Sequence, residues 1–174
     1  MSGVDNTPLH QSHLREMTAA DLEHVLKIRN HNEIRRNMLT HHEIAMNEHI
    51  SWFHSSSQNE NIELLVFEMN EECCGFVQFK KTHYPGVQDW GFFVSPDAPK
   101  GTGKKLGMAA LSRAFKKDNL HKIRGEVLEG NQSSIGFHKS LGFLQEGVFR
   151  DHHFDGEVYH NIICFGLLKH DWVW

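Results

Sequence analysis

The stretch that decides the fold is residues 92–107, FFVSPDAPKGTGKKLG. An apolar, aromatic run meets two prolines and a glycine-bearing turn, and apolar residues then recur at helical spacing: Met108, Leu111 and Phe115. The pattern predicts a strand, a loop and a helix in that order. Glycines at such a turn let the backbone approach a ligand, and the free N–H groups that begin a helix bind phosphate well. Three cations add charge at the same place: Lys100, Lys104 and Lys105.

The glycine pattern of this loop excludes two common nucleotide-binding motifs. No Lys-Ser or Lys-Thr pair follows, as in a Walker A loop, and the loop comes after a late strand rather than the first, unlike a dinucleotide-binding G-x-G-x-x-G turn. We therefore expect the loop to hold the pyrophosphate of a different cofactor. An ordinary turn carrying solvated lysines is the alternative that the glycines alone leave open.

The chain before this loop reads as two helices followed by a meander. Thr18 to Asp21 form a capping box ahead of a helix, and a second helical pattern covers residues 43–55. Three runs are rich in Val, Phe and Ile and are separated by short turns. This pattern predicts antiparallel strands at 62–69, 74–81 and 87–95. A further strand is expected at 13–17.

The chain after the loop reads as strand, helix and hairpin. Residues 121–128 form a strand pattern, Asn131 caps a helix that Gly142 ends, and residues 144–154 and 157–168 pair across Asp155-Gly156. An antiparallel half is thus joined to a β-α-β-α half. The fold class is α/β with one mixed sheet.

The composition of the chain argues against several classes of function. The 174 residues suit one domain, expected at 12–174 after a flexible leader at 1–11, and a net charge of −4 without a basic block argues against nucleic-acid binding. The absence of a long apolar run argues against a membrane and for the cytoplasm. Three cysteines and fifteen scattered histidines lack metal-site spacing, so we expect reduced thiols and no metal.

Two segments resemble the acetyl-CoA signatures of the GNAT N-acetyltransferase superfamily. One is Phe92 to Gly103, and the other, more specific one is residues 131–143, NQSSIGFHKSLGF. The resemblance extends over residues 13–170. It implies an acetyl-CoA-dependent N-acetyltransferase whose mixed central sheet, flanked by about four helices, splays between its fourth and fifth strands, with no metal required.

The resemblance also implies which residues hold acetyl-CoA. Backbone groups of Phe92, Phe93 and Val94 would pair with the pantetheine arm. The loop residues Lys100, Gly101, Thr102, Gly103, Lys104 and Lys105 would hold the pyrophosphate, and the second segment would contribute Asn131, Ser134, Phe137 and Lys139. The family's loop pattern [QR]-x-x-G-x-[GA] is broken at both ends, by Lys100 and Lys105.

Narrower features resemble the pseudaminic acid biosynthesis N-acetyltransferases. These features are Ile28 to Met38, then His41 to Ile44 and Glu48 to Trp52. They imply the 4-amino group of UDP-4-amino-4,6-dideoxy-N-acetyl-β-L-altrosamine as acceptor, a nucleotide sugar used to glycosylate flagellin or surface polysaccharide. Cations and apolar walls would then bind phosphates and the 6-deoxy methyl group, supplied by Arg29, Met38, His49, Trp52, Phe79, Lys80 and Lys81. A homodimer is possible in such a family.

Two other classes of function remain open from the sequence. Ribosomal-protein N-terminal acetyltransferases share the wider group, and a peptide acceptor would favour an acidic groove, for which Asp151, Asp155 and Glu157 are the candidates. A non-catalytic acyl-CoA-binding module of the same fold is the third reading.

Acetyl transfer to an amine needs one group to accept a proton and one to donate it. Glu126 alternates with Arg124 and Leu128 on one face of its strand, so its carboxylate is the first candidate base, and Asp89 is the second. His138 stands where the superfamily usually places a tyrosine that protonates the CoA sulfur. It is either that donor or a residue that only packs and donates one neutral N–H.

Overall fold

The computed structural model describes residues 12–174, so the expected leader at 1–11 lies outside the described residues. Within that range the chain forms one seven-stranded sheet and five α-helices. The strands are β1 (Ser12–Glu16), β2 (Ile62–Met69), β3 (Glu72–Lys81), β4 (Val87–Val94), β5 (Lys122–Leu128), β6 (Leu144–Phe154) and β7 (Tyr159–Leu168). The helices are α1 (Leu22–Asn30), α2 (Asn32–Arg35), α3 (Met46–Ser57), α4 (Thr102–Phe115) and α5 (Gln132–Ser140).

The sheet order is β1-β2-β3-β4-β5-β7-β6, and every neighbouring pair is antiparallel except β4 and β5. The parallel pairing of β4 with β5 covers only Val87 to Asp89 and Lys122 to Arg124. Beyond Asp89 the two strands have no shared ladder. The mixed α/β sheet with splayed fourth and fifth strands is therefore confirmed, as is the strand expected near the N-terminus.

Each face of the sheet carries its own core. One is built with α4 and contains Leu106, Leu111, Ile123 and Phe165, all at most 1% exposed. The other is built with α1 and α3 and contains Val25, Phe53 and Phe93 among others. Burial of this apolar surface is the main stabilising contribution, at roughly 25 cal/mol per Å². The glycine-bearing turn that begins α4 therefore lies on one side of the sheet, and α1 and α3 lie on the other.

The second helix differs from the prediction of 43–55. The side chain of Asn30 donates to the carbonyl of Ile44 over 2.8 Å and accepts from the Ile44 N–H over 2.9 Å. This pairing holds residue 44 in a non-helical position, so α3 begins at Met46 and continues to Ser57. The short helix α2 was missed, because four residues are too few to show helical periodicity.

Three negative findings concern residues 12–174. No helix there is long and apolar enough to cross a membrane. No group of three or more His, Cys, Asp or Glu side chains is arranged to hold a metal ion. Cys73, Cys74 and Cys164 are free thiols, and burial raises the pKa of Cys73 to about 11, which makes that thiol a poor nucleophile at neutral pH.

Candidate active site

A cavity of about 630 Å³ opens where β4 and β5 part. Its walls come from the unpaired half of β4, from β5, from the start of α5 and from α2 with the residues that follow it. Ile34, Met38 and Leu39 supply apolar surface on the α2 side. The volume lies within the roughly 300–1,000 Å³ typical of small-molecule sites.

The glycine-bearing turn starts α4 as the sequence predicts. Gly101 adopts a left-handed conformation with φ of 88°, which favours glycine, and the first-turn N–H groups of Gly103 and Lys104 have no intrahelical acceptor. Thr102 departs from the expected role. Its hydroxyl donates to the Pro99 carbonyl over 2.7 Å and the residue is buried, so its side chain is turned away from a pyrophosphate.

Aromatic rings form the wall between this turn and the cavity. Phe92 lies 4.6 Å from Phe137 between ring centroids, and Trp90 lies 4.8 Å from Phe92. Asn131 caps α5 by accepting the Ser134 N–H over 3.0 Å, which leaves its side-chain NH₂ for a ligand. All five residues line the cavity, and so do Phe93 and Val94. The residues that were expected to contact the pantetheine arm therefore lie together along one side of the cavity.

His138 is 2% exposed, and both of its ring nitrogens are engaged. Nδ1 lies 2.8 Å from the Ser134 carbonyl, and Nε2 lies 3.1 Å from the indole nitrogen of Trp90. Because a carbonyl only accepts and an indole N–H only donates, Nδ1 carries the proton and the ring is neutral. Burial lowers the pKa of His138 to about 4. This arrangement opposes the proton-donor role and favours the alternative of a packed, neutral imidazole.

Three charged residues meet on the opposite side of the cleft. Arg124 donates from Nε to Asp89 over 2.8 Å and from Nη2 over 2.7 Å. Glu126 is exposed and lines the cavity two residues further along β5. An ion pair with Arg124 would occupy the Glu126 carboxylate, but Arg124 is held by Asp89. Glu126 is therefore the better placed of the two candidate bases.

Arg29 and His49, two of the residues that were expected to bind the acceptor substrate, lie near the segment that joins α2 to α3. Arg29 donates from Nη2 to the Thr40 carbonyl over 3.0 Å, while its Nη1 is buried without a hydrogen-bond partner. His49 is 4% exposed, and its Nε2 is likewise unpartnered among the described residues. Burial lowers the pKa of both groups. Neither residue lines the cavity directly.

The remaining expected residues are not brought to the cavity. Phe79 is 1% exposed in the core beside Trp90, and Trp52 packs between His49 and Phe76. Lys80 and Lys81 are exposed at the end of β3, and Lys139 is exposed on the outer side of α5. The cavity is also not lined by Asp151, Asp155 or Glu157, the candidates for an acidic peptide groove, and Asp155 is bound by His160 and by two backbone N–H groups.

Sequence reasoning missed Trp90, Ile34 and Arg36 as lining residues. The alternation of β4 placed Trp90 on the same side as Phe92, which was a usable signal. No helical periodicity marked α2, and the resemblance over Ile28 to Met38 assigned no role to Ile34 or Arg36. Gly125 was also missed: a side chain there would collide with the rings of His138 and Trp90.

Comparison with known proteins agrees with this geometry. The family model described as "Acetyltransferase (GNAT) domain" matches residues 14–163. The chain is 26% identical over 144 residues to the N-acetyltransferase YokL of Bacillus subtilis, covering 80% of each protein. It is 24% identical over 145 residues to the acetyltransferase PseH of Campylobacter jejuni, covering 83% of this chain and 87% of that one. Spermidine N-acetyltransferase from Vibrio cholerae has the same fold, with a TM-score of 0.85 at 20% identity over 93% of this chain and 98% of that one.

Proposed function

The chain belongs to the GNAT acetyltransferase family and is an acetyl-CoA-dependent N-acetyltransferase, and from this premise we propose that its acceptor is the 4-amino group of UDP-4-amino-4,6-dideoxy-N-acetyl-β-L-altrosamine. This reaction would place the protein in pseudaminic acid biosynthesis. Likeness to PseH supports the proposal at 24% identity. The observation that carries it is the pair of buried, unpartnered polar atoms on Arg29 and His49.

The cleft fits the acetyl-CoA that the family uses. A pantetheine arm carries amide groups, and the backbone of Phe92 to Val94 has no ladder with β5 to satisfy its own. The N–H groups of Gly103 and Lys104 suit a pyrophosphate, and Lys100 and Lys105 are exposed beside them. Bound there, acetyl-CoA supplies an activated acetyl thioester to the cavity.

The unpartnered atoms of Arg29 and His49 require hydrogen-bond partners of opposite kinds. The Arg29 Nη1 group is a donor. The His49 ring donates to the carbonyl of Leu22, which leaves Nε2 as an acceptor in the neutral ring. A nucleoside diphosphate offers both partners, since its phosphate oxygens accept and its ribose hydroxyls donate. Leaving such groups unsatisfied costs about 1–3 kcal/mol each, so a ligand that satisfies them gains affinity.

The segment above these atoms connects them with the cavity. Arg29 binds the carbonyl of Thr40, and the preceding Met38 and Leu39 line the cavity. An acceptor whose diphosphate reaches Arg29 would therefore carry its sugar past this apolar surface, which suits a 6-deoxy methyl group.

Glu126 is the group that we assign to proton removal. The acceptor ammonium gives a proton to the carboxylate, the free amine nitrogen bonds to the acetyl carbonyl carbon, and the carbon–sulfur bond breaks. The electron pair of that bond leaves with the CoA thiolate, which takes up the second proton that the acetylated nitrogen must lose to become a neutral amide. Because direct attack needs no enzyme nucleophile, none of the three cysteines takes part.

A thiol-release assay tests the acceptor. Purified enzyme and acetyl-CoA are mixed with the UDP-4-amino sugar, with spermidine and with peptides bearing a free N-terminus, and the acetylated product is identified by mass spectrometry. We expect the nucleotide sugar to give the highest kcat/KM. Turnover of peptide or spermidine without the nucleotide sugar would refute the acceptor, and acetyl-CoA binding without any thiol release would indicate a binding module.

Arg29→Ala tests the phosphate site. The acceptor KM should rise at least tenfold while acetyl-CoA affinity is unchanged, because only one substrate loses a charge partner. Lys27→Ala, which removes an exposed cation from the same helix, is the matched control. An acceptor KM that is equal in the two variants would place the diphosphate elsewhere.

A further inference from the structure

A second, smaller depression adjoins the cavity on the far side of β5. It has a volume of about 220 Å³, and we call it the β5–β7–β6 basin after the strands that form it. Arg124 and Glu126 line both the cavity and the basin. The volume is below the roughly 300–1,000 Å³ of a complete ligand site, so the basin is an extension of the cavity past Glu126.

Strand register explains why the sheet is hollow at this point. Glu126 lies opposite Cys164, Cys164 lies opposite Gly147, and these three positions share one face because directly opposed residues on antiparallel strands point the same way. Gly147 presents no side chain and Cys164 a small one. Phe149, two residues along β6 from Gly147, stands at the edge of the basin and is 46% exposed.

The charges around the basin are mostly compensated. Glu146 lies 2.6 Å from the amine of Lys122, and Arg124 is held by Asp89. Burial raises the pKa of the Cys164 thiol, with Glu126 acting in the same direction, so the floor is neutral at physiological pH. Among residues 12–174, Glu126 is the basin carboxylate that makes no ion pair.

We infer that the β5–β7–β6 basin binds the uncharged part of the acceptor next to the reacting amine, and that Gly147 and Cys164 set the size of acceptor that is accepted. The basin offers the apolar ring of Phe149, the neutral thiol of Cys164 and charged groups that are already paired. These groups suit an uncharged edge of the acceptor's sugar ring that carries a hydroxyl or methyl group. A polyamine would need several free carboxylates, and a phosphate would need a free cation. This inference rests on the proposed amino-sugar acceptor, for which the basin would take the edge of the ring that carries the amine and the 6-methyl group.

Gly147→Leu tests the basin directly. A Cβ built at Gly147 meets no atom within 4 Å, and its φ is not positive, so the strand accepts a side chain that fills the basin. The control is Gly136→Leu on the exposed side of α5, where a Cβ also meets nothing within 4 Å. We expect Gly147→Leu to lower kcat/KM for the UDP-4-amino sugar at least tenfold through KM, with acetyl-CoA affinity unchanged. Gly136→Leu should match the wild type.

A second measurement uses the native chain. Alkylation of Cys164 by iodoacetamide, followed by mass spectrometry, should slow at least threefold when CoA and the UDP-4-amino sugar are both present, relative to the rate with CoA alone. If the wild type acetylates the nucleotide sugar but Gly147→Leu has wild-type kinetics, the basin assignment is wrong and the proposed acceptor stands. If the wild type acetylates only linear amines, both are wrong. If it acetylates a different ring-bearing amine and Gly147→Leu impairs that reaction, the basin stands and the proposed acceptor fails.

Discussion

The indole N–H of Trp90 donates a hydrogen bond to Nε2 of His138 over 3.1 Å, and both rings are buried. This bond joins β4 to α5 across the point where the sheet splays. Gly125 makes it possible, because a side chain at that position would occupy the space of both rings. The histidine in the usual tyrosine position is thus part of a buried structural connection between β4 and α5.

The first prediction concerns stability against acid. An unfolded histidine titrates near 6.5, whereas burial lowers the pKa of His138 to about 4 in the folded protein. As pH falls below 6.5, the unfolded chain therefore takes up a proton before the folded chain does, and the free energy of unfolding decreases until pH passes about 4. Between pH 7 and 4.5 this group should remove about 2–3 kcal/mol.

Chemical denaturation of wild type and His138→Phe at the two pH values measures this effect. The variant lacks the titrating group, so its stability deficit relative to wild type should shrink by about 2–3 kcal/mol at the lower pH. His24→Phe, at an exposed histidine of α1, is the control. A deficit that does not depend on pH would contradict the neutral, buried imidazole.

The second prediction concerns the kinetic role of His138. A neutral ring whose Nδ1 proton is held by the Ser134 carbonyl has no proton to give to the departing thiolate. The alkaline side of the kcat profile should therefore be the same in wild type and in His138→Phe. If the variant loses the alkaline limb and its kcat falls by roughly 10²-fold, His138 is the general acid after all and this prediction is wrong.

The third prediction compares two glycines. Gly125→Ala forces a Cβ to within 2.9 Å of the indole nitrogen of Trp90, and closer still to His138. Overpacking of this kind typically costs 1–3 kcal/mol, so thermal unfolding should occur at a lower temperature. Gly136→Ala meets no neighbour within 4 Å and replaces a helical glycine, so it should be neutral or stabilise by about 0.5–1 kcal/mol. Equal stability of the two variants would contradict the packing described.

The fourth prediction concerns the start of α4. A Cβ at Gly103 makes ordinary contacts of 3.7 Å with Phe137 and 3.9 Å with Val94, so Gly103→Ala should fold and bind acetyl-CoA nearly as wild type does. Gly103→Asp adds a negative charge where the pyrophosphate is proposed to bind, and its affinity should fall at least tenfold, or about 1.4 kcal/mol. Calorimetric titration measures the acetyl-CoA affinity of both variants. Equal affinities would show that the pyrophosphate does not bind at this turn.

Local patterns sufficed to predict most of the fold, whereas the residues proposed to hold acetyl-CoA were assigned from the family resemblance. Alternation along β2 to β5 and the Gly101 turn are set by nearby residues, so they could be read directly. The acceptor side could not, because it depends on which side chains meet across the sheet. Arg124 binds Asp89 rather than Glu126, Phe79 is buried in the core, and the segment that joins α2 to α3 is held in place by Arg29 and Asn30 through hydrogen bonds that no periodicity reveals.

The measurement that tests the account most directly is the kcat of thiol release for Glu126→Gln at saturating acetyl-CoA and acceptor. The amide keeps the size of the side chain but cannot accept the ammonium proton, so kcat should fall by roughly 10²–10⁴-fold with acetyl-CoA affinity unchanged. Asp89→Asn, which weakens the hold on Arg124 without removing the proposed base, should lose much less. Wild-type kcat in Glu126→Gln, with the large loss appearing in Asp89→Asn instead, would contradict the assignment of the base and with it the proposed orientation of the acceptor.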